Sequence, residues 1–220
     1  WNSEADLQWA AGRIATFANY QAGQSCISVQ RVLVDESLVD RLVPMIVDQV
    51  RALPTGSPWD ETTVVGPLVN EAAAARVEAW VAEAVAGGAR VLAGGTREGA
   101  TMAPTVLVDA PPDAKVCREE VFGPVLVIVP VDGVDEAFAT VNDSRFGLQT
   151  GVFTHNMVTA FRAHSELEVG GVVIGDVPSF RADQMPYGGV KASGFGREGL
   201  KSAMADFTYE KVMVLTGIPL

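Results

Sequence analysis

Five consecutive apolar residues, Val125-Leu126-Val127-Ile128-Val129, run without a polar residue on either face. A strand of that kind must be covered on both sides, which places it inside a mostly parallel sheet between helical layers. Covers are available at helical spacing. Leu7, Ala11, Ile14 and Ala18 recur after an N-cap-like Ser3 with Asp6 in the first turn, and Leu38, Leu42, Ile46 and Val50 follow the capping run Asp35-Glu36-Ser37. Val77, Val81 and Ala84 form a third stripe from about Glu71 to Ala86, closed by Gly87. Alternation of such helices with strands predicts an α/β fold with an open, mostly parallel sheet flanked by helices.

The remaining segments are read the same way. Ile27 to Val34 is expected as a buried strand, and Pro44 is expected to kink or end the helix it interrupts, because a mid-helix proline costs about 3 kcal/mol. Pro54 to Asp60 reads as a surface loop, and Arg90-Val91-Leu92 and Pro104 to Val108 as strands around Gly94-Gly95-Thr96. A helix carrying Val134, Phe138 and Val141 precedes a strand over Gly147 to Phe153. Asn156 can cap the next helix, Gly171 to Ile174 reads as a strand, and a short helix follows Gly199. Phe207 to Leu215 is β-rich and is expected as a terminal strand.

Charge and cysteine usage narrow the function classes. The 220 residues carry 16 Lys and Arg against 27 Asp and Glu, a net charge of −11, which argues against binding a phosphate backbone and hence against a nucleic-acid partner. Two cysteines, Cys26 and Cys117, are too few for a disulfide framework and fit a reducing, cytoplasmic setting. With His155 and His164 they form no zinc spacing, so no metal site is expected. No apolar run approaches the ~18 residues of a membrane span, and no basic leader opens the chain. The Gly94-Gly95 pair lacks the pattern of a phosphate-binding loop.

Cys26 stands on a glycine-marked turn, Gly23-Gln24-Ser25-Cys26, between a helix and a strand. A thiol so placed can reach a substrate and become a nucleophile, although a free cysteine more often packs as a small apolar residue, the reading given to Cys117. Two further stretches decide for Cys26: Glu120-Val121-Phe122-Gly123-Pro124, and Pro186-Tyr187-Gly188-Gly189-Val190-Lys191 through Gly196-Arg197-Glu198. In this order the three resemble the catalytic half of the NAD(P)-dependent aldehyde dehydrogenase superfamily, across nearly the whole chain.

That resemblance implies an aldehyde dehydrogenase-like catalytic domain over residues 1–206 and a C-terminal oligomerisation strand over 207–220, joining a homo-oligomer. NAD or NADP is then bound mainly by an N-terminal nucleotide-binding domain absent from this sequence. Oxidising a small-molecule aldehyde requires a nucleophile, donors for the oxyanion, a hydride acceptor and a base that activates water. By the resemblance, Cys26 attacks the carbonyl with its own N–H as one oxyanion donor. Glu120 accepts from the nicotinamide ribose hydroxyls, and Phe122 packs against that end of the cofactor. Tyr187 sits at the mouth of the aldehyde pocket, and Gln24 joins the substrate contacts, though small polar residues beside a turn more often shape it. Arg181 lies in the entrance loop, where its fork suits an anionic aldehyde; the alternative is a salt bridge to Asp176 or Asp183. The sequence departs from the family at Gly175, where asparagine is common, and the upstream base is missing. The rival expectation is therefore a catalytically incomplete fragment or a non-catalytic assembly module of the same fold.

Overall fold

A computed structural model describes residues 1 and 3–217. Helix α1 (Glu4–Asn19) starts at Ser3, whose side chain accepts from the Asp6 N–H, and passes through a 3-10 turn (Tyr20–Gly23) into the Cys26 turn. Strand β1 (Arg31–Asp35) leads into α2 (Glu36–Arg51), and after a long loop comes α3 (Glu71–Ala86). Next are β2 (Arg90–Ala93), the small hairpin of β3 (Arg97–Glu98) and β4 (Thr101–Met102), and β5 (Thr105–Val108). A single turn, α4 (Lys115–Arg118), precedes β6 (Val125–Val131) and α5 (Gly133–Asn142). Strands β7 (Phe146–Gly147) and β8 (Gln149–Val152), helix α6 (Met157–Glu166), β9 (Gly171–Ile174), β10 (Val190–Lys191) and α7 (Leu200–Asp206) complete the described elements.

The main sheet has the order β1-β6-β5-β2, parallel at β1/β6 and β5/β6 and antiparallel at β5/β2. Its centre is the apolar run that the sequence marks out. Leu126 and Ile128 of β6 face the cluster built with α1 and α2, whereas Val125 and Val127 face the cluster built with α3, and all four are 0–1% exposed. Each such side chain stabilises the fold by about 1.5–3 kcal/mol relative to exposure, so a polar residue at any of positions 125–128 of β6 is costly on either face. Smaller pairs surround this sheet: β8 with β9 in parallel, and β7 with β10 antiparallel.

Three expectations change. Pro44 lies inside α2, which runs unbroken to Arg51. Both Pro44 and Asp40, whose carbonyl loses its intrahelical partner, are solvent-exposed, so the freed carbonyl is not sealed in the core. The strand expected from Ile27 begins only at Arg31, because residues 25–28 turn back: the Ser28 N–H donates to the Ser25 carbonyl at 3.0 Å, and its hydroxyl to the last carbonyls of α1. Finally, Phe207 to Leu215 forms no strand with the described residues of its own chain; pairing with a partner subunit is a separate expectation. Within the described residues it has no neighbouring edge to hydrogen-bond, and Phe207, Tyr209 and Val212 are all more than 80% exposed.

A groove of about 430 Å3 separates β1 from β8. It is lined by consecutive residues of both strands, Arg31 to Asp35 and Gln149 to Val152, rather than by alternate ones. Consecutive lining marks two strand edges, not two sheet faces. The groove does not include Cys26, Glu120, Phe122, Tyr187 or Arg181, so it is separate from the candidate chemistry.

Candidate active site

The cysteine turn is a strained and well-braced piece of backbone. Gln21, Ala22 and Gly23 hold φ of 53°, 55° and 71°, three successive left-handed residues of which only glycine adopts that region freely. Bonds from several directions compensate. The Tyr20 hydroxyl meets the Ser25 hydroxyl at 2.6 Å, and Ser179 donates to the Ile27 carbonyl at 2.6 Å across 152 residues of sequence. Gln24 accepts from the Val69 N–H at 2.9 Å and donates to the Gln21 carbonyl at 3.0 Å. Its amide is thereby engaged with backbone, the turn-shaping alternative given for it above.

Cys26 itself is exposed, and its Sγ lies 2.7 Å from the Tyr187 hydroxyl, from the far end of the sequence. Tyr187 is 6% exposed and is tied by paired backbone bonds to Glu198. Burial, and then the contact with Cys26, push its phenol above the ordinary value. It stays protonated at neutral pH and can donate to sulfur. The Arg181 guanidinium stacks over the Tyr187 ring at 4.4 Å and pairs with Glu198 at 3.1 Å. Glu198 thus replaces Asp176 and Asp183 as its expected partner, because Asp176 is held elsewhere. Arg13 on α1 donates to both Asp176 oxygens at 2.7 Å. Burial raises the Asp176 carboxyl, but the bonds from Arg13 and the Val177 N–H outweigh it and hold the group below its usual range. Beside it, Gly175 has φ +82°, a region that asparagine also tolerates.

The second loop abuts the first. A Cβ on Gly23 would come within 2.1 Å of the Gly123 carbonyl, so the Cys26 turn and the 119–124 loop touch backbone to backbone. Neighbouring acids in this loop differ. Glu119 pairs with Arg145, whereas the exposed Glu120 carboxylate has no protein partner among the described residues. Phe122, with φ 49°, leaves 41% of its surface open although Val121 beside it is buried. An unpaired carboxylate next to an open aromatic face fits a ribose and the ring it carries, so these residues are compatible with a dinucleotide's nicotinamide end. Cys117 is half-buried; burial raises its thiol, and Arg31 and Arg118 only partly offset this. No group of three metal-ligating side chains occurs among the described residues.

Sequence reasoning passed over Ser179, Tyr20, Gln30 and the Arg13–Asp176 pair. Only Ser179 and Asp176, inside the entrance loop, carried any signal, and it was one of position rather than of partner.

A model of the aldehyde dehydrogenase family matches residues 2–213. The 3-sulfolactaldehyde dehydrogenase of Priestia aryabhattai is 45% identical over 214 residues, covering 97% of this chain and 45% of that protein. A lactaldehyde dehydrogenase of Methanococcus maripaludis is 37% identical over 215 residues, covering 98% of this chain and 46% of that protein. Aldehyde dehydrogenase 21 of Physcomitrella patens, solved with the reaction product succinate, superposes with TM-score 0.88 at 43% identity over 93% of this chain and 42% of its own. The NADP-dependent glyceraldehyde-3-phosphate dehydrogenase of Bacillus halodurans, solved with NADP, gives 0.90 at 37% identity over 96% and 44%. The chain therefore spans less than half the length of these relatives. With the motifs, the fold and the match over residues 2–213 in agreement, this chain belongs to the aldehyde dehydrogenase family.

Proposed function

We propose that these residues form the cysteine-bearing half of an NAD(P)-dependent aldehyde dehydrogenase, acting with a nucleotide-binding domain that lies outside them. The observation that carries this reading is Cys26, exposed on a braced turn with the Tyr187 hydroxyl 2.7 Å from its sulfur. Cys26 Sγ adds to the aldehyde carbon, and the Tyr187 hydroxyl orients the sulfur as the adduct forms. The Cys26 N–H supplies one donor to the oxyanion. NAD(P), held in part by Glu120 and Phe122, supplies the acceptor for the hydride. Cys26 is left acylated; water releases the carboxylic acid and the free thiol, whereas transfer to another thiol such as coenzyme A releases its acyl thioester.

Arg181 favours an anionic aldehyde, because its guanidinium lies on the Tyr187 ring beside the nucleophile and can exchange Glu198 for a substrate anion. Two of the similar proteins are named for anionic aldehydes, 3-sulfolactaldehyde and glyceraldehyde 3-phosphate. Residues 207–220, of which 218–220 lie outside the described residues, join a subunit of a homo-oligomer by adding as a strand; Phe207, Tyr209 and Val212 are exposed for this. Two free cysteines fit a cytoplasmic setting, and no described helix is long and apolar enough to cross a membrane.

The test uses the longer protein that carries this chain. Cys26→Ser abolishes aldehyde-dependent NAD(P)H formation, and Arg181→Ala lowers kcat/KM for anionic aldehydes about tenfold or more relative to neutral ones of equal length. Turnover retained by Cys26→Ser overturns the nucleophile, and an unchanged ratio removes the anion preference.

A further inference from the structure

Gln30 is the residue that ties the nucleophile's segment to the loop of Glu120 and Phe122. It lies four residues beyond Cys26, and its backbone carbonyl accepts from the Val127 N–H at 2.8 Å, which fixes it to the central strand. Its side chain turns to the other segment. Nε2 donates to the Val116 carbonyl at 2.9 Å and to the Glu119 carbonyl at 2.7 Å, while Oε1 accepts from the Val121 N–H at 2.9 Å. One primary amide thus satisfies three backbone groups on residues 116, 119 and 121. Both of its N–H bonds are used, and no smaller or singly polar side chain can match that pattern.

The clamped residues bracket Glu120. Glu119 and Val121 are bonded on either side of it, so the exposed, unpaired Glu120 carboxylate is carried by backbone held at both neighbours. Phe122 follows in a left-handed conformation, φ 49°, that a free loop would rarely adopt. Gly123 is then pressed against Gly23 of the cysteine turn. The route from nucleophile to loop is short and made of backbone contacts at both ends.

We infer that Gln30 is a positioning residue for cofactor binding: through its three bonds it holds Glu120 and Phe122 in the geometry that receives the nicotinamide end of NAD(P), without touching the cofactor. This rests on the cofactor role proposed for Glu120 and Phe122. It predicts a split between two properties of one site. Releasing the clamp lets the 116–122 segment sample conformations that do not bind, and the apparent affinity falls by the fraction that remains competent. Cys26 keeps its braces from Tyr20, Ser179 and Tyr187, none of which involves Gln30.

The experiment is made on the longer protein, with Gln30→Met as the variant of similar length that cannot form the three bonds. Cofactor Kd is measured by titration without aldehyde, and the iodoacetamide rate at Cys26 is measured without cofactor. The expected result is a Kd raised about tenfold or more, as the binding-competent fraction of the released segment falls, with the alkylation rate within about twofold of the parent. Amides of residues 116–122 exchange faster in the variant. Unchanged Kd overturns the inference, and so does a weakening accompanied by an equal fall in alkylation, which marks general damage. If Gln30→Met does not fold, Gln30→Ser, which leaves room for bridging water, carries the same comparison. Glu120→Gln separates the two levels. If it weakens cofactor binding and Gln30→Met does not, only the Gln30 assignment fails; if Glu120→Gln has no effect on Kd, the cofactor reading of the loop fails with it.

Discussion

Replacing Asp176 by asparagine tests whether the entrance loop is held to α1 by charge. Arg13 reaches Asp176 through two bonds of 2.7 Å, with the side chains 28% and 21% exposed, and the guanidinium also lies 4.2 Å from the Phe17 ring. Bonds to charged groups in such partly buried settings contribute about 1.5–3 kcal/mol, and asparagine retains at best one weaker acceptor. For a chain of this size that loss lowers Tm by about 3–12 °C at neutral pH. The pH dependence gives the sharper test. The folded carboxyl is held below its ordinary value of 3.8, so its contribution is complete above that value and disappears as pH falls through the folded one. The difference in Tm between parent and Asp176→Asn should therefore be flat from about pH 7 to pH 5 and shrink below about pH 4, while other carboxyls titrate alike in both proteins. Thermal melts by circular dichroism across that range are sufficient. A neutral-pH difference under about 1 °C, or one that persists undiminished to about pH 2, refutes the charge-based tie.

Two further outcomes follow from exposure and strand geometry. Iodoacetamide at neutral pH labels Cys26 at least about tenfold faster than the half-buried Cys117, whose thiol is raised by burial; equal rates by peptide mapping contradict the assignment of Cys26 as the accessible nucleophile. Amide exchange along β1 should alternate. The Gln30 carbonyl faces β6, so Val32 and Val34 share that side and are protected, whereas Arg31 and Leu33 face the groove and exchange faster; equal protection at Val32 and Leu33 means that the groove edge is paired.

What the sequence disclosed depended on how local the cause was. The double-faced burial of β6 was legible because an unbroken apolar run admits few other settings, and the caps at Ser3, Asp35 and Asn156 act within three residues of themselves. The early helix end allowed for Pro44 does not occur, because its cost depends on whether the freed carbonyl is open to solvent, and the exposure of that turn is a tertiary fact. The stretch from Phe207 had strand composition without a strand in its own chain, since β-structure needs an edge that composition cannot supply. At the site, the order of three motifs singled out Cys26, Glu120, Phe122 and Tyr187 as candidates, but nothing in it says that Tyr187 meets the sulfur across 161 residues. The roles of Gln30 and of the Arg13–Asp176 pair were hidden for the same reason. Each acts on backbone or charge that only the folded chain brings near.

The anion preference proposed for Arg181 is compatible with a stable resting site. With no substrate present its charge is matched by Glu198, at 3.1 Å, in a pair whose side chains are 44% and 67% exposed. Exposed pairs of this kind contribute only about 0–1 kcal/mol, so exchanging Glu198 for a substrate carboxylate, sulfonate or phosphate forfeits little. The stack on Tyr187 need not be broken, because it engages the face of the guanidinium and leaves the N–H edge free to pair. Tyr187 is itself buried and fixed to the Glu198 backbone, so the arginine is carried by a rigid ring rather than by a loose loop. Removing Arg181 should therefore leave Tm within about 1 °C of the parent while the ratio of kcat/KM between anionic and neutral aldehydes falls. A variant that loses stability in step with activity toward both kinds of aldehyde shows that Arg181 is part of the frame, and that the site's selectivity lies elsewhere.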